Sequence, residues 1–327
     1  MKKRIFREAA FALAFIVAAL ALMSAASRLL KPERHDYGAV WADYLDQPRD
    51  SMDYLYLGSS YVYCDVDPNA VEDASGLSGF VMAGPEQTMG ITYWYLRECL
   101  RTQSPRAVII EGTALHFEEF QAYTQVNLAY MPYGFNRIAA AFTVAEPELR
   151  TGILFDLYFY HDRWKELGGD ILPGDLTLRA SRLRMASQPS DKEGEDSLLG
   201  FTPVDGVAES MDKAPFTRQP KSEQVYEQNL AWLQKTVELC RKEGITPVVV
   251  FHPTYSRLPD EWYDRIARDV AALGGALYFD WSADAESMGL DPMTDYFDAG
   301  HLNAGGAGTF SRWLGAFLRE NVPALAE

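Results

Sequence analysis

Two short stretches of this chain hold side chains that together could carry out nucleophilic chemistry. In YLYLGSSYVYCDVDP, residues 54 to 68, an apolar run breaks at Gly58 and is followed at once by Ser59 and Ser60. In DYFDAGHLNAGGAG, residues 295 to 308, Asp298 and His301 stand three apart. A serine hydroxyl is a weak nucleophile at neutral pH unless a neighbouring base takes its proton. An aspartate placed three residues before a histidine in a turn can accept a hydrogen bond from Nδ1–H. The other imidazole nitrogen is then free to act as that base. Each half has an ordinary alternative. Gly-Ser-Ser also makes a turn with a helix cap, and Asp298 could be a loop carboxylate. The residues alone leave open which serine would react.

The elements around these stretches alternate between strand and helix. Strands are expected at Tyr54 to Leu57, Gly79 to Ala83, Ala107 to Ile110, Thr246 to Phe251 and Ala276 to Phe279. Helices are expected over Thr88 to Leu100 and around Leu154 to Leu167. Tyr226, Leu230, Leu233, Val237 and Cys240 line one face of another helix, stopped by Gly244. Trp262, Ile266, Val270 and Leu273 mark a further one, and the last carries Phe310, Trp313, Leu314 and Phe317. Five strands alternating with helices imply an α/β fold, a parallel sheet covered on both faces. Ligands of such sheets bind beyond the carboxyl ends of the strands. Gly58-Ser59-Ser60, Gly84, Glu111-Gly112, His252-Pro253 and Asp280 all fall at strand ends and can share one rim.

Composition narrows the classes of function. A net charge of -16 argues against nucleic acid and against wide contact with anionic headgroups. Cys64, Cys99 and Cys240 form no CxxC pair, and the five histidines include no HExxH, so neither a disulfide framework nor a metal is expected. The N-terminus is basic up to Arg7, and Ala9 to Ala26 carries no charge. Eighteen residues span roughly 27 Å, close to a bilayer core. The positive flank leaves the N-terminus in the cytoplasm and the body outside. A signal peptide cleaved near Ser24-Ala25-Ala26 is the alternative; the length of the run favours a retained anchor. The expected organisation is an anchor over 1–30, a linker over 31–50 and one α/β domain over 51–327. An insertion at about 125–220 lies on the ligand side and holds the polar run QPSDKEGEDSLLG.

Gly58-Ser59-Ser60 after the first strand, with Asp298-x-x-His301 near the end, resembles the SGNH/GDSL hydrolase superfamily over most of residues 53 to 320. The resemblance implies a flavodoxin-like three-layer sandwich. It places Ser60 on the family's nucleophile, with Ser59 replacing the family's aspartate, and Asp298 and His301 on its acid and base. It also implies an oxyanion site formed by the Ser60 N–H and the Gly84 N–H. The family's third donor, an Asn after the third strand, is missing from EGTALHFEE, the segment that begins at Glu111. Gln87 is a replacement donor by this reading, or else a polar residue at the start of the following helix. With its single N-terminal anchor the chain is similar to extracytoplasmic proteins of teichoic acid D-alanylation and alginate-type O-acetylation. Such proteins often act beside a multi-pass membrane O-acyltransferase.

The expected function is therefore an extracytoplasmic serine esterase or O-acyltransferase. It would act on acyl esters of a cell-envelope polysaccharide or teichoic-acid-like polymer and need no cofactor. The alternative is a non-catalytic surface scaffold that binds a polysaccharide or a membrane acyltransferase. His161, Arg163 and Trp164 are either a wall of the acceptor site or a helix face holding the insertion down. His252 either lines the rim or is a hydrogen-bonded loop histidine. Asp67 before Pro68, and Asn303 before the last helix, read as helix caps.

Overall fold

The structure, a computed structural model, describes residues 2–31, 37–163, 198–207, 216–217 and 221–326. Its centre is a five-stranded sheet. The strands are β1 (Tyr54–Gly58), β2 (Gly79–Ala83), β3 (Ala107–Glu111), β5 (Thr246–Phe251) and β7 (Leu277–Asp280). All pairs are parallel, in the order β2-β1-β3-β5-β7. Two further strands of two residues each, β4 (Phe216–Thr217) and β6 (Ser256–Arg257), pair with one another.

The strands read YLYLG, GFVMA, AVIIE, TPVVVF and LYFD, nearly unbroken apolar runs, because helices cover both faces of the sheet. Side chains alternate across the sheet. Tyr54, Tyr56, Val81, Ile109, Val248 and Val250 share one core with Val71 of the helix Pro68–Ser75 and with Phe310, Leu314 and Leu318 of the final helix, Ala304–Asn321. The residues between them, such as Leu55, Leu57, Phe80 and Ile110, are equally buried on the opposite side. There the helices Met89–Cys99 and Glu223–Lys242 pack against each other and the sheet. The chain order along the sheet reverses between β1 and β3, and such a reversal opens a crevice at the carboxyl ends of those two strands.

The described residues divide into two compact units. One contains the helix Lys2–Leu30 and residues 148–163; the other contains the sheet. In the first, Lys31 Nζ lies 3.1 Å from Asp156 Oδ2, and Arg163 Nη1 donates to the Leu30 carbonyl at 3.0 Å. Among the described residues one helix, over Lys3–Ser27, is long and apolar enough to cross a membrane.

Several boundaries differ from the expected ones. The helix expected over 154–167 is interrupted at Phe155, whose φ of -133° and ψ of 91° are extended. Two short helices, Arg150–Leu154 and Asp156–Tyr160, flank it. β7 starts one residue late because Gly274 and Gly275 both take positive φ, 70° and 81°, and use up the approach. Part of the expected linker is packed. Trp41–Asp46 is a helix with Trp41 and Tyr44 buried, and the Tyr44 hydroxyl donates to the Cys99 carbonyl at 2.9 Å. The end of the expected insertion runs along the β2 edge, where Val81 N–H donates to the Leu199 carbonyl at 2.9 Å. The acidic run DKEGED lies outside the described residues.

Candidate active site

β1 ends at Gly58, and the chain turns at once into a short helix, Ser60–Tyr63. The turn is too tight for a side chain. A Cβ on Gly58 would sit 2.5 Å from Val62 Cγ2 and 2.9 Å from Glu111 Cβ. Ser59 occupies the N-cap position, but its side chain makes no capping bond, and its Oγ is buried without a partner. Ser60 is the first helical residue and is partly exposed at the rim. The two serines therefore differ in direction, and only Ser60 points out of the sheet edge.

The loop before the final helix brings the other two groups. Asn303 caps that helix by accepting from Gly306 N–H at 3.0 Å, and its Nδ2 holds the Gly206 and Thr294 carbonyls. A bridge between Tyr296 and Leu302 closes the loop that carries Asp298 and His301. Asp298 Oδ1 accepts from Gly300 N–H at 2.7 Å and His301 N–H at 2.9 Å. His301 Nδ1 lies 2.9 Å from Asp298 Oδ1 and 3.0 Å from Oδ2. His301 Nε2 is 2.8 Å from Ser60 Oγ. The Tyr61 ring stacks on the imidazole with centroids 5.0 Å apart. Burial alone would raise the Asp298 pKa, but the His301 hydrogen bond and charge and the two backbone N–H groups outweigh it. Its carboxyl therefore titrates below the usual range.

Ser60, His301 and Asp298 thus form a continuous hydrogen-bonded chain from residues that are 241 and 3 positions apart. A cleft of about 390 Å³ opens beside it, lined by Ser60, His301, Tyr61, Glu86, Thr113, His116, Phe117, Phe251, His252 and Tyr263, among others. Such a set can transfer a serine proton to a histidine while the aspartate fixes the tautomer and balances the imidazolium charge.

The expected oxyanion donors divide. As the first residue of a helix, Ser60 has an N–H with no intrahelical acceptor. Gly84 N–H donates instead to the Gly58 carbonyl at 3.3 Å. The glycine is required for packing: a Cβ there would run into Asn127 Oδ1, and Gly38 approaches from another side, where its own Cβ would meet Gly84 Cα at 2.5 Å. Gln87 is buried and donates to Thr92 Oγ1 at 3.0 Å, steadying the start of the helix that Thr88 caps. The Gly84 N–H is thus engaged, and neither Gly84 nor Gln87 is among the residues that line the cleft.

His252 is both things the sequence left open. It forms part of the cleft wall at the end of β5, yet it is 1% exposed and hydrogen-bonded. Its Nε2 meets the Tyr56 hydroxyl, and its Nδ1 lies 3.3 Å from Asp65 Oδ2. Asp65 Oδ1 also accepts from Leu302 N–H at 2.8 Å, which ties the turn after the helix Ser60–Tyr63 to the loop that carries His301. Burial lowers the His252 pKa to about 4 and raises those of Asp65 and Glu111, so burial disfavours the charged form of all three. His161 is exposed, with Nδ1 2.7 Å from the Tyr158 carbonyl, and Arg163 binds the end of the N-terminal helix. Both belong to the other unit and make those contacts there. Trp164 lies outside the described residues. Asp67 caps the helix Pro68–Ser75 by accepting from Asn69 N–H at 3.0 Å.

Sequence reasoning missed Tyr61, Asp65, Glu86, Thr113 and His116. The signal that could have found them is position, since each follows β1, β2 or β3 by a few residues. Glu86 stands out further because it is a non-glycine residue with a φ of 46°, in the turn between β2 and the next helix. Among the described residues no group of three or more His, Cys, Asp or Glu side chains is placed to hold a metal ion. A scan against protein-family models finds no match for this chain, and a search of the curated proteins finds none either.

Proposed function

We propose that this chain is a serine ester hydrolase or O-acyltransferase of SGNH type, anchored by its N-terminal helix with the body outside the cytoplasm. Its substrates are acyl esters of a cell-envelope polysaccharide or teichoic-acid-like polymer. The observation that carries this reading is the chain Ser60 Oγ to His301 Nε2, 2.8 Å, and His301 Nδ1 to Asp298, 2.9 Å, opening on a cleft at the reversal point of the sheet.

In the first half-reaction Ser60 Oγ attacks the ester carbonyl and His301 Nε2 takes the hydroxyl proton. The tetrahedral oxyanion meets the Ser60 N–H. The bond to the leaving alcohol breaks, and His301 returns the proton to it. In the second half-reaction His301 activates either water or a sugar or polyol hydroxyl, which attacks the acyl-serine and releases Ser60. Water makes the protein an esterase; a hydroxyl acceptor makes it a transferase, with a multi-pass membrane acyltransferase as the natural source of acyl groups. A second reading, a non-catalytic scaffold of the same fold, draws support from one observation: the Gly84 N–H already donates to the Gly58 carbonyl.

A fluorophosphonate probe applied to membranes containing the full-length chain separates the two. Wild type should be labelled, and both Ser60→Ala and His301→Ala should abolish labelling. A well-folded wild type that is never labelled, or labelling that survives Ser60→Ala, would leave the scaffold reading in its place.

A further inference from the structure

The helix Phe135–Thr143 is built inside out. Its inward face carries Asn136, Arg137, Ala140 and Ala141, all buried. Its outward face carries Phe135, Ile138 and Phe142, which are 71%, 42% and 55% exposed, with Tyr133 just before them at 60%. Positions 135, 138 and 142 recur at the spacing of one helix face. A soluble helix places such residues against the core and its polar ones in water.

The inversion is held by specific bonds. Asn136 Nδ2 donates to the buried Glu98 Oε2 at 2.7 Å, and Arg137 Nη1 donates to the Met131 carbonyl at 3.1 Å. On the neighbouring helix, Trp94 Nε1 donates to Thr143 Oγ1 at 2.8 Å. Turning the helix over would break the Asn136 bond to the buried Glu98 and the Arg137 bond to the Met131 carbonyl, bonds that favour the present face inward. The aromatic stripe therefore stays on the surface.

We propose that this stripe inserts into the headgroup–acyl boundary of a lipid bilayer, a contact that rests on reading residues 3–27 as a membrane anchor. Two observations select a bilayer. From Phe120 to Ala145 there is no Asp or Glu, in a chain where 46 of 327 residues are acidic. The stripe is thus the part of an anionic protein that a headgroup layer does not repel. Tyr and Phe at the surface of an amphipathic helix are also the residues that settle at this boundary. The tether is short. Leu30 and Tyr37 are seven residues apart in the sequence and can be separated by at most about 25 Å. The sheet-bearing unit is therefore tethered to any membrane that the N-terminal helix enters, and a weak surface contact becomes effectively intramolecular.

The test places a fluorophore at single introduced cysteines in the full-length chain, reconstituted in phosphatidylcholine vesicles with and without lipid-attached spin labels. The native Cys64, Cys99 and Cys240 are buried. The positions are Phe142→Cys on the stripe, Arg268→Cys on the exposed face of the helix Asp260–Leu273, and Leu13→Cys in the anchor. Quenching at position 142 should exceed that at 268 at least about twofold. Adding Phe135→Asp, also at an exposed site, should reduce quenching at 142 without changing the melting temperature. If position 13 is quenched while 142 matches 268, the stripe does not meet lipid although the anchor stands. If position 13 is not quenched either, the anchor reading falls with it. Efficient cross-linking of Phe142→Cys between copies, without quenching, would make the occupant a second copy and overturn the proposal.

Discussion

Replacing Asp298 with Asn isolates the part of the triad that changes charge while keeping shape. Asp298 Oδ1 is the hub of its loop, accepting from the Gly300 and His301 backbone N–H groups at 2.7 and 2.9 Å. An asparagine would keep its carbonyl there to save both bonds. Its NH2 group then takes the place of Oδ2, 3.0 Å from His301 Nδ1. At the former Oδ2 position two donors face one another, and Oδ1, 2.9 Å from Nδ1, is already shared by two backbone N–H groups, so the balance moves to the tautomer that presents Nε2–H to Ser60, where it can no longer accept a proton. The lost charge adds to this. A carboxylate–imidazolium pair at about 4 Å is worth ~1 kcal/mol in water and ~4 kcal/mol near a protein surface. Asp298 is 48% exposed, which places it between those limits, at about 2 kcal/mol or roughly a 30-fold rate effect. With the tautomer inverted as well, kcat/KM for a small activated ester should fall by about 10³-fold, with the melting temperature little changed. The assay is nitrophenyl acetate cleavage by full-length protein in detergent, with Asp298→Ala as the control for loss of the loop's bonds. A folded Asp298→Asn protein within about tenfold of wild type would refute the argument that Asp298 sets the tautomer.

Ser59→Ala should be neutral or slightly stabilising, within about 1 kcal/mol in denaturant unfolding, and should leave phosphonate labelling intact, because it removes a buried hydroxyl that has no partner. Loss of labelling in a folded Ser59→Ala protein would reverse the roles of the two serines. Gly58→Ala should cost at least about 1–3 kcal/mol and displace Ser60, since its Cβ would press on Val62 and on Glu111 of β3; an unchanged midpoint would mean the turn can relax. The His252 imidazole is lowered by burial from 6.5 to about 4. Between those values the native state binds fewer protons than the unfolded chain, so the His252 contribution is full above pH 6.5 and is lost as pH falls, by up to about 1.4 kcal/mol per pH unit. Asp65 and Glu111, whose pKa values are raised, act in the opposite sense and lose stability as pH rises. His252→Gln removes only the first contribution. The Tm of the variant should therefore gain on that of wild type as pH is lowered from about 7 to 5, and a constant difference would speak against a buried neutral imidazole.

The parallel sheet was legible because its signal is local. YLYLG, GFVMA, AVIIE and TPVVVF are short, apolar on both faces and bounded by Gly or Pro. That pattern suits a strand covered on two sides and little else. The caps at Asp67 and Asn303 were legible for the same reason, since a cap acts within three residues of itself. The pairing of Asp298 with His301 could be read from their spacing, and the apolar run over residues 9–26 needed nothing but composition and length.

What spans the fold could be decided only there. Nothing in the order of residues says that Ser60 Oγ and His301 Nε2, 241 positions apart, meet at 2.8 Å; that depends on β1 lying inside the sheet between β2 and β3 and on the placement of the last loop. The choice of Ser60 over Ser59 follows from which residue begins the helix after β1. By the resemblance Gly84 matched the oxyanion glycine that follows the second strand, but its N–H is taken by the Gly58 carbonyl, and its missing side chain makes room for Asn127 and Gly38. The fold also buries Asp65 between His252 and the Leu302 amide. The helix Phe135–Thr143 carries the same amphipathic pattern whichever face is inward. The partners that wait inside, Glu98 and the Met131 carbonyl, turn its polar side to the core and leave its aromatic side exposed. Periodicity records that a helix has two unlike faces, whereas which one is buried depends on hydrogen-bond partners brought from other elements by the tertiary structure.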